Sequence, residues 1–303
     1  MGKVREFYNQ NRYMIWIIIL ILVAIIVLIQ ILNSFISKRN DIEESNKQNT
    51  VIKSSNNNIN ENYSVITGQE VKKEVSQVID DFVYCCNNNE PEKAYALLSD
   101  ECKKALYPTL DDFTTKYYQK LFKGNITYLY QSWITYNNKY TYKIDFIEDM
   151  LSTGKASNTS ITDYYTIVKQ NEAYKLNINK FIGIENIDKS TTRNNIKITI
   201  NRKRIYMDYE TYEIEVENNS NGKIELDSLQ KTNTVYIEDE NGQKYYWYNH
   251  EILEEDISIR RAQRGNVEVK FNKSYQPKKE TTKVVFTNVV ANEHNVIRIE
   301  ISL

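Results

Sequence analysis

Between residues 70 and 125 apolar positions recur three and four apart; beyond Gly124 they alternate. Val71, Val75, Val78, Ile79, Phe82, Val83 and Cys86 trace one face of an amphipathic helix. NNNE interrupts it, and Pro91 opens a second helix where its missing N–H costs little; Ala94, Tyr95, Leu97 and Leu98 supply that helix's apolar face. Thr109 and Asp112 have the spacing of a capping box, which predicts a third helix through Phe113, Tyr117 and Leu121. ITYLYQSWITY, KYTYKIDFIED, SITDYYTIVKQ and AYKLNINKFIG then alternate, separated by NN, STGKASNT and NE, so four strands are expected. Helices followed by an antiparallel sheet form an α+β unit, with the helices covering one face of the sheet.

Residues 190–303 change class. IKITI, YEIEVE, TVYIED, KYYWY, NVEVKF, TKVVFTNVV and VIRIEI alternate, with NNSNG and DENG as turns between them, and no long helical pattern intervenes. Short strands at this spacing predict a β-sandwich.

The chain begins differently again. Residues 14–32, MIWIIILILVAIIVLIQIL, carry no polar stripe, and at about 1.5 Å per residue they come close to the ~30 Å hydrocarbon thickness of a bilayer. A single transmembrane helix is expected there, after a cytoplasmic tail at 1–13, with Tyr13 and Trp16 as membrane-interface residues. Lys3, Arg5 and Arg12 before the run are nearly balanced by Lys38, Arg39 and Lys47 after it, so flanking charge does not orient it. The short tail and the large folded mass behind the run favour C-terminal domains outside the membrane. Residues 33–69, polar, Asn-rich and without periodicity, read as a flexible stalk.

Composition narrows the field of function. A formal net charge of −1 gives no bulk basic field for nucleic acid. Three Cys cannot staple a scaffold of 303 residues, and the two His, His250 and His294, exclude His-rich metal sites. P-loop, dinucleotide-binding, nucleophile-elbow and HExxH motifs are all missing from the sequence.

The run from Phe82 through Ala94-Tyr95-Ala96-Leu97-Leu98 to Thr109 and Phe113, followed by the four strands, resembles the nuclear-transport-factor-two-like cone fold over about 70–183. YEIEVENNS, DENGQKY, RRAQRGNVEVKF and KVVF resemble the immunoglobulin-like extracytoplasmic domains of Gram-positive membrane proteins over most of 205–303, within a sandwich domain expected to span 184–303. Both resemblances rest on packing and turn residues, so they imply fold more than activity.

Candidate chemistry is sparse. Cys85 and Cys86 sit on a predicted helix, which disfavours pairing with each other, and read as buried small hydrophobes rather than a vicinal disulfide or reactive thiol; Cys102 could approach them, but no CxxC or nearby His suggests a zinc site. Asp145 and Asp163 could face a cone cavity, and a base there would need burial to raise its pKa. Asp239–Gly242 reads as a hairpin turn rather than a calcium loop. Arg202, Lys203 and Arg204, with Arg260, Arg261 and Arg264, form a candidate binding surface, set against solvated ion pairing as the ordinary role of such runs.

The expected class is therefore a single transmembrane helix, an α+β cone-fold domain and an all-β sandwich. The expected function is a non-catalytic cell-envelope protein, without metal or cofactor, whose outer domains bind an envelope protein or wall polymer and no nucleic acid. A scaffold subunit of a conjugation or type IV secretion machine, or a small-molecule-binding cone, is the alternative.

Overall fold

A computed structural model describes residues 73–124, 126–148, 160–227, 233–248, 257–291 and 295–303. They are mostly β-sheet with short helices. No helix among them is long and apolar enough to cross a membrane; the longest, α1 (Lys73–Asn87), has 15 residues and a polar face. The expected class is corrected on this point: the structure does not support its single transmembrane helix. Residues 14–32, with Tyr13 and Trp16, the 1–13 tail and the 33–69 stalk lie outside the described residues.

α1 buries Val75, Val78, Ile79, Phe82, Val83 and Cys86, the stripe its spacing prescribes. It stops at Asn87–Asn89 because Asn89 takes a left-handed φ of 58°. The Asn87 amide then donates to the carbonyl of Ile126 and accepts from its N–H, both at 3.0 Å, pinning the helix end to the first strand. The expected second helix is two: α2 (Pro91–Ala96) and α3 (Asp100–Leu106). Between them Leu98 forms a parallel bridge to Leu176, and the Ser99 hydroxyl caps α3 by accepting from the Cys102 N–H at 3.0 Å. α4 (Leu110–Phe113) starts at the Thr109/Asp112 capping box, passes through a π-helical turn (Thr114–Tyr118) and ends as α5 (Gln119–Leu121). The extra residue of the π turn lets Phe113, Tyr117 and Tyr118 all reach the core.

The first sheet is antiparallel in the order β1 (Ile126–Tyr136), β2 (Lys139–Glu148), β3 (Ser160–Gln170), β4 (Ala173–Asn177). Asn137–Asn138 and Asn171–Glu172 make its two-residue turns with positive φ at both positions, which Asn tolerates better than other side chains. The helices cover one face, and Phe82 sits among Phe113, Phe122 and Tyr165 with ring centroids 5.6–6.4 Å away.

The expected fourth strand, 173–183, ends early. Asn179 and Lys180 both take positive φ, and the chain leaves the first sheet on β5 (Phe181–Arg193). Residues 184–191, where the expected sandwich domain begins, are thus the middle of a 13-residue strand. β5 pairs with β6 (Ile196–Tyr206) in a sheet ordered β12 (Gln263–Phe271), β7 (Glu210–Asn218), β6, β5. Facing it is a sheet ordered β10 (Lys244–Tyr246), β9 (Val235–Asp239), β13 (Thr281–Ala291), β8 (Ile224–Glu225), β11 (Ser258–Ile259), with β14 (Asn295–Ser302) paired to β13. Ile198, Ile200, Tyr212, Ile214, Phe271, Phe286 and Ile299 close the core between the two sheets.

Candidate functional site

Three turns meet where the helical unit joins the sandwich, and a buried carboxylate organises them. Asp163 on β3 points into the first core. Its Oδ2 accepts from the Tyr117 hydroxyl at 2.9 Å and the Asn179 N–H at 3.1 Å; its Oδ1 accepts from the N–H groups of Tyr164 at 2.7 Å and Lys180 at 2.9 Å. Burial nevertheless raises its pKa to about 6, outweighing the four donors that hold the charged form. The same contacts fix the strained Asn179–Lys180 turn. The Lys180 carbonyl then accepts from Met207 N–H at 2.8 Å, and the Met207 carbonyl from Tyr275 N–H at 2.9 Å. One chain of hydrogen bonds thus runs from the first core through the β4–β5 and β6–β7 turns to the loop after β12. Trp133, Ile134 and Tyr164 on the outer side of the first sheet pack against Ile182, Ile205, Met207 and Tyr275, giving the joint its apolar content.

Beside this seam lies a cleft of about 90 Å³, below the ~300 Å³ at which pockets enclose a drug-sized ligand. Its walls include Tyr136 and Lys139 from the first unit, and Glu185, Lys203, Glu210, Lys273 and Tyr275 from the second. Two ion pairs close it. Lys203 Nζ meets Glu185 at 2.6 Å, and Lys273 Nζ meets Glu210 at 2.6 Å. Glu210 also accepts from the hydroxyls of Tyr212 at 2.7 Å and Thr281 at 3.1 Å, so a buried carboxylate is held from three sides. Nothing in the sequence pairs these residues. Glu210 and Lys273 are 63 positions apart, and only folding of the loop after β12 brings them together.

The sequence-expected binding residues are not one surface. Arg202 and Arg204 lie on the outer face of the sheet and Lys203 on the opposite side, because neighbouring strand residues point to opposite faces. Arg202 bonds Glu213 at 2.7 Å; Arg204 bonds Glu213 and, at 2.5 Å, Glu268. Arg264 is at the other end of that face, 3.3 Å from Glu217, and the exposed Arg260 and Arg261 lie in the β11–β12 turn. A row of Glu213, Glu215 and Glu217 on β7 thus runs between the basic residues of β6 and β12 and offsets them.

Asp145 lies on the outer side of the first sheet, bonded by Thr162 at 2.5 Å and Lys143 at 3.3 Å. The cone space that Asp163 faces is occupied: Tyr130, Tyr142, Tyr165, Phe82, Phe113 and Ile144 are all fully buried there. Cys85, Cys86 and Cys102 are free thiols. Burial pushes Cys102 up to about 12 and Cys86 higher still, which makes both poor nucleophiles and poor metal ligands. No group of His, Cys, Asp and Glu among the described residues is arranged to hold a metal. Asp239 serves a turn, its Oδ1 accepting from the N–H groups of Asn241 and Gln243 at 2.9 Å, with Gly242 at a φ of 78°.

Comparison with protein-family models, curated proteins and solved structures finds no match.

Proposed function

We propose that this chain is a non-catalytic binding or assembly module of the cell envelope, in which the helical unit is a fixed base that presents the β-sandwich. The observation that carries this reading is the joint. β5 passes from one core to the other without a linker, and the Asp163 hydrogen-bond chain, an apolar cluster and the Glu210–Lys273 pair brace the same place. The filled cone supports a structural role for the base, since a catalytic cone needs space beside its acid or base. The resemblance of most of 205–303 to immunoglobulin-like extracytoplasmic domains supports an envelope location.

Two experiments on the full chain test it. Hydrogen exchange across 178–186 and 271–276 should be as slow as in the two cores; fast exchange confined to those segments would make the joint a hinge and overturn the fixed base. A C-terminal epitope tag on intact, wall-stripped cells should be lost to added protease. Protection until the membrane is permeabilised would place the domains inside and overturn the envelope location.

A further inference from the structure

We infer that the outward side chains of β10 and the residues just after it, with Tyr209 and Lys270, form a binding surface for an anionic polysaccharide. Along 244–248 the alternation is clean: Tyr245 and Trp247 turn toward the sandwich core, while Lys244, Tyr246 and Tyr248 turn out. Tyr246 and Tyr248 are each 40% exposed, among the few large apolar side chains open to solvent in the described residues. The strip continues on both sides. Tyr246 packs edge-on against Tyr236, with ring centroids 5.8 Å apart, and Lys270 Nζ lies 4.1 Å from the Tyr209 ring and 6.0 Å from the Tyr248 ring. The backbone holds this course, since Tyr248 N–H donates to the Lys270 carbonyl at 2.9 Å and Trp247 bridges Phe271. The rings therefore cross from the edge of one sheet to the edge of the other.

Charge identifies the occupant. Lys244 and Lys270 stand over tyrosine rings, Lys244 at 4.6 Å from Tyr236, although each has a glutamate nearby. Glu238, opposite Lys244 in register, is taken by Lys283 at 3.0 Å, and Glu268, two positions before Lys270, is taken by Arg204 at 2.5 Å. Lys197, Arg202, Lys203 and Arg204 on β6 and Arg264 on β12 are each matched by a carboxylate; Lys244 and Lys270 have ring partners instead, and an anionic group can complete them. Exposed tyrosine faces suit the C–H faces of sugar rings. A peptide strand is less well served, because β10 is three residues long and offers little backbone for strand addition.

The inference rests on the reading of the chain as a binding module. Its test is a titration of the full chain with a hyaluronan decasaccharide, followed by calorimetry and tyrosine fluorescence, with dextran and poly-L-glutamate of similar length as comparisons. Hyaluronan should bind, and dextran and polyglutamate should bind at least about tenfold more weakly. The pair Tyr246→Ala and Tyr248→Ala should lose at least about tenfold in affinity at unchanged melting temperature, while Tyr246→Phe with Tyr248→Phe stays within about threefold. Lys244→Gln with Lys270→Gln should weaken binding and flatten its dependence on salt. If the alanine pair does not fold, each single alanine variant carries the same test. Absence of hyaluronan binding, equal binding of polyglutamate, equal binding of dextran, or indifference to the tyrosine substitutions would each overturn the inference. A protected epitope tag in the protease experiment, by contrast, overturns only the envelope location.

Discussion

Lys273 Nζ lies 2.6 Å from Glu210 Oε1, with the two side chains 4% and 3% exposed. The pair ties the loop after β12 to the first residue of β7, and Thr281 at the start of β13 bonds the same carboxylate. Both ends of that loop thus converge on one glutamate, beside the seam that joins the units.

Removing one partner should therefore cost more than removing both. Lys273→Met leaves Glu210 buried with only hydroxyl donors, and the expected loss is about 3–5 kcal/mol. Lys273→Met combined with Glu210→Met removes the stranded charge and should recover most of it. Urea denaturation of the wild type, the single variant and the double variant checks the order; a double variant no more stable than the single would contradict it.

Asp163 should give the protein an acid-side stability gradient opposite in sign to that of a paired carboxylate. Its pKa is raised from an ordinary 3.8 to about 6 by burial. The folded protein therefore binds a proton more readily than the unfolded chain. The favourable contribution is complete below about pH 4 and is lost as pH rises through about 6, a change on the order of 3 kcal/mol. Denaturation midpoints measured from pH 4 to 7 in the wild type and in Asp163→Asn isolate this group, since the variant should lack its share of the gradient.

Gly265 on β12 leaves room for Ile259 of β11. A Cβ there would stand 2.7 Å from Ile259 Cγ1, a contact that forces the buried side chain to move. Gly265→Ala should destabilise the sandwich by about 1–3 kcal/mol. Adding Ile259→Ala removes the obstructing atoms, so its own cost should be smaller in the Gly265→Ala background than in the wild type. Additive losses in a double-mutant cycle would show that the two do not meet.

The cysteines should separate by reactivity. Cys86 and Cys102 are buried, and burial raises the pKa of both thiols, whereas Cys85 is half-buried at the edge of α1 and its thiol is raised too. At pH 8 the native protein should take up iodoacetamide slowly at Cys85, while Cys86 and Cys102 react only in denaturant. Peptide mass spectrometry reads this directly; rapid native labelling at Cys102 would contradict its packing.

Much of the local structure was readable. The α1 stripe, the Thr109/Asp112 cap and the alternating runs of β1 and β3 depend on near neighbours in the chain, and the structure puts them at the expected positions. The paired Asn turns follow from the same local chemistry. The break within Ala94–Leu98 was not readable, because it is made by a bridge from Leu98 to Leu176, a strand far along the chain. The π turn after Phe113 was missed for a related reason: Tyr118 becomes a core residue only once a sheet is present to receive it.

The division for the whole protein follows from range. Periodicity, capping residues and turn residues are local quantities, so the sequence by itself determined that helices precede strands, where the α1 stripe, the Thr109 cap and the alternating runs of β1 and β3 lie, and that two apolar cores would be needed, but not that β5 crosses between them. Which charges meet is a matter of register between distant strands. Tertiary structure alone decided that Arg202 and Arg204 face a row of glutamates while Lys203 turns to a cleft, that Glu210 finds Lys273, and that Lys244 and Lys270 are left over tyrosine rings. A shift of one residue in any of those pairings would turn each side chain to the opposite face, and no local pattern records that choice.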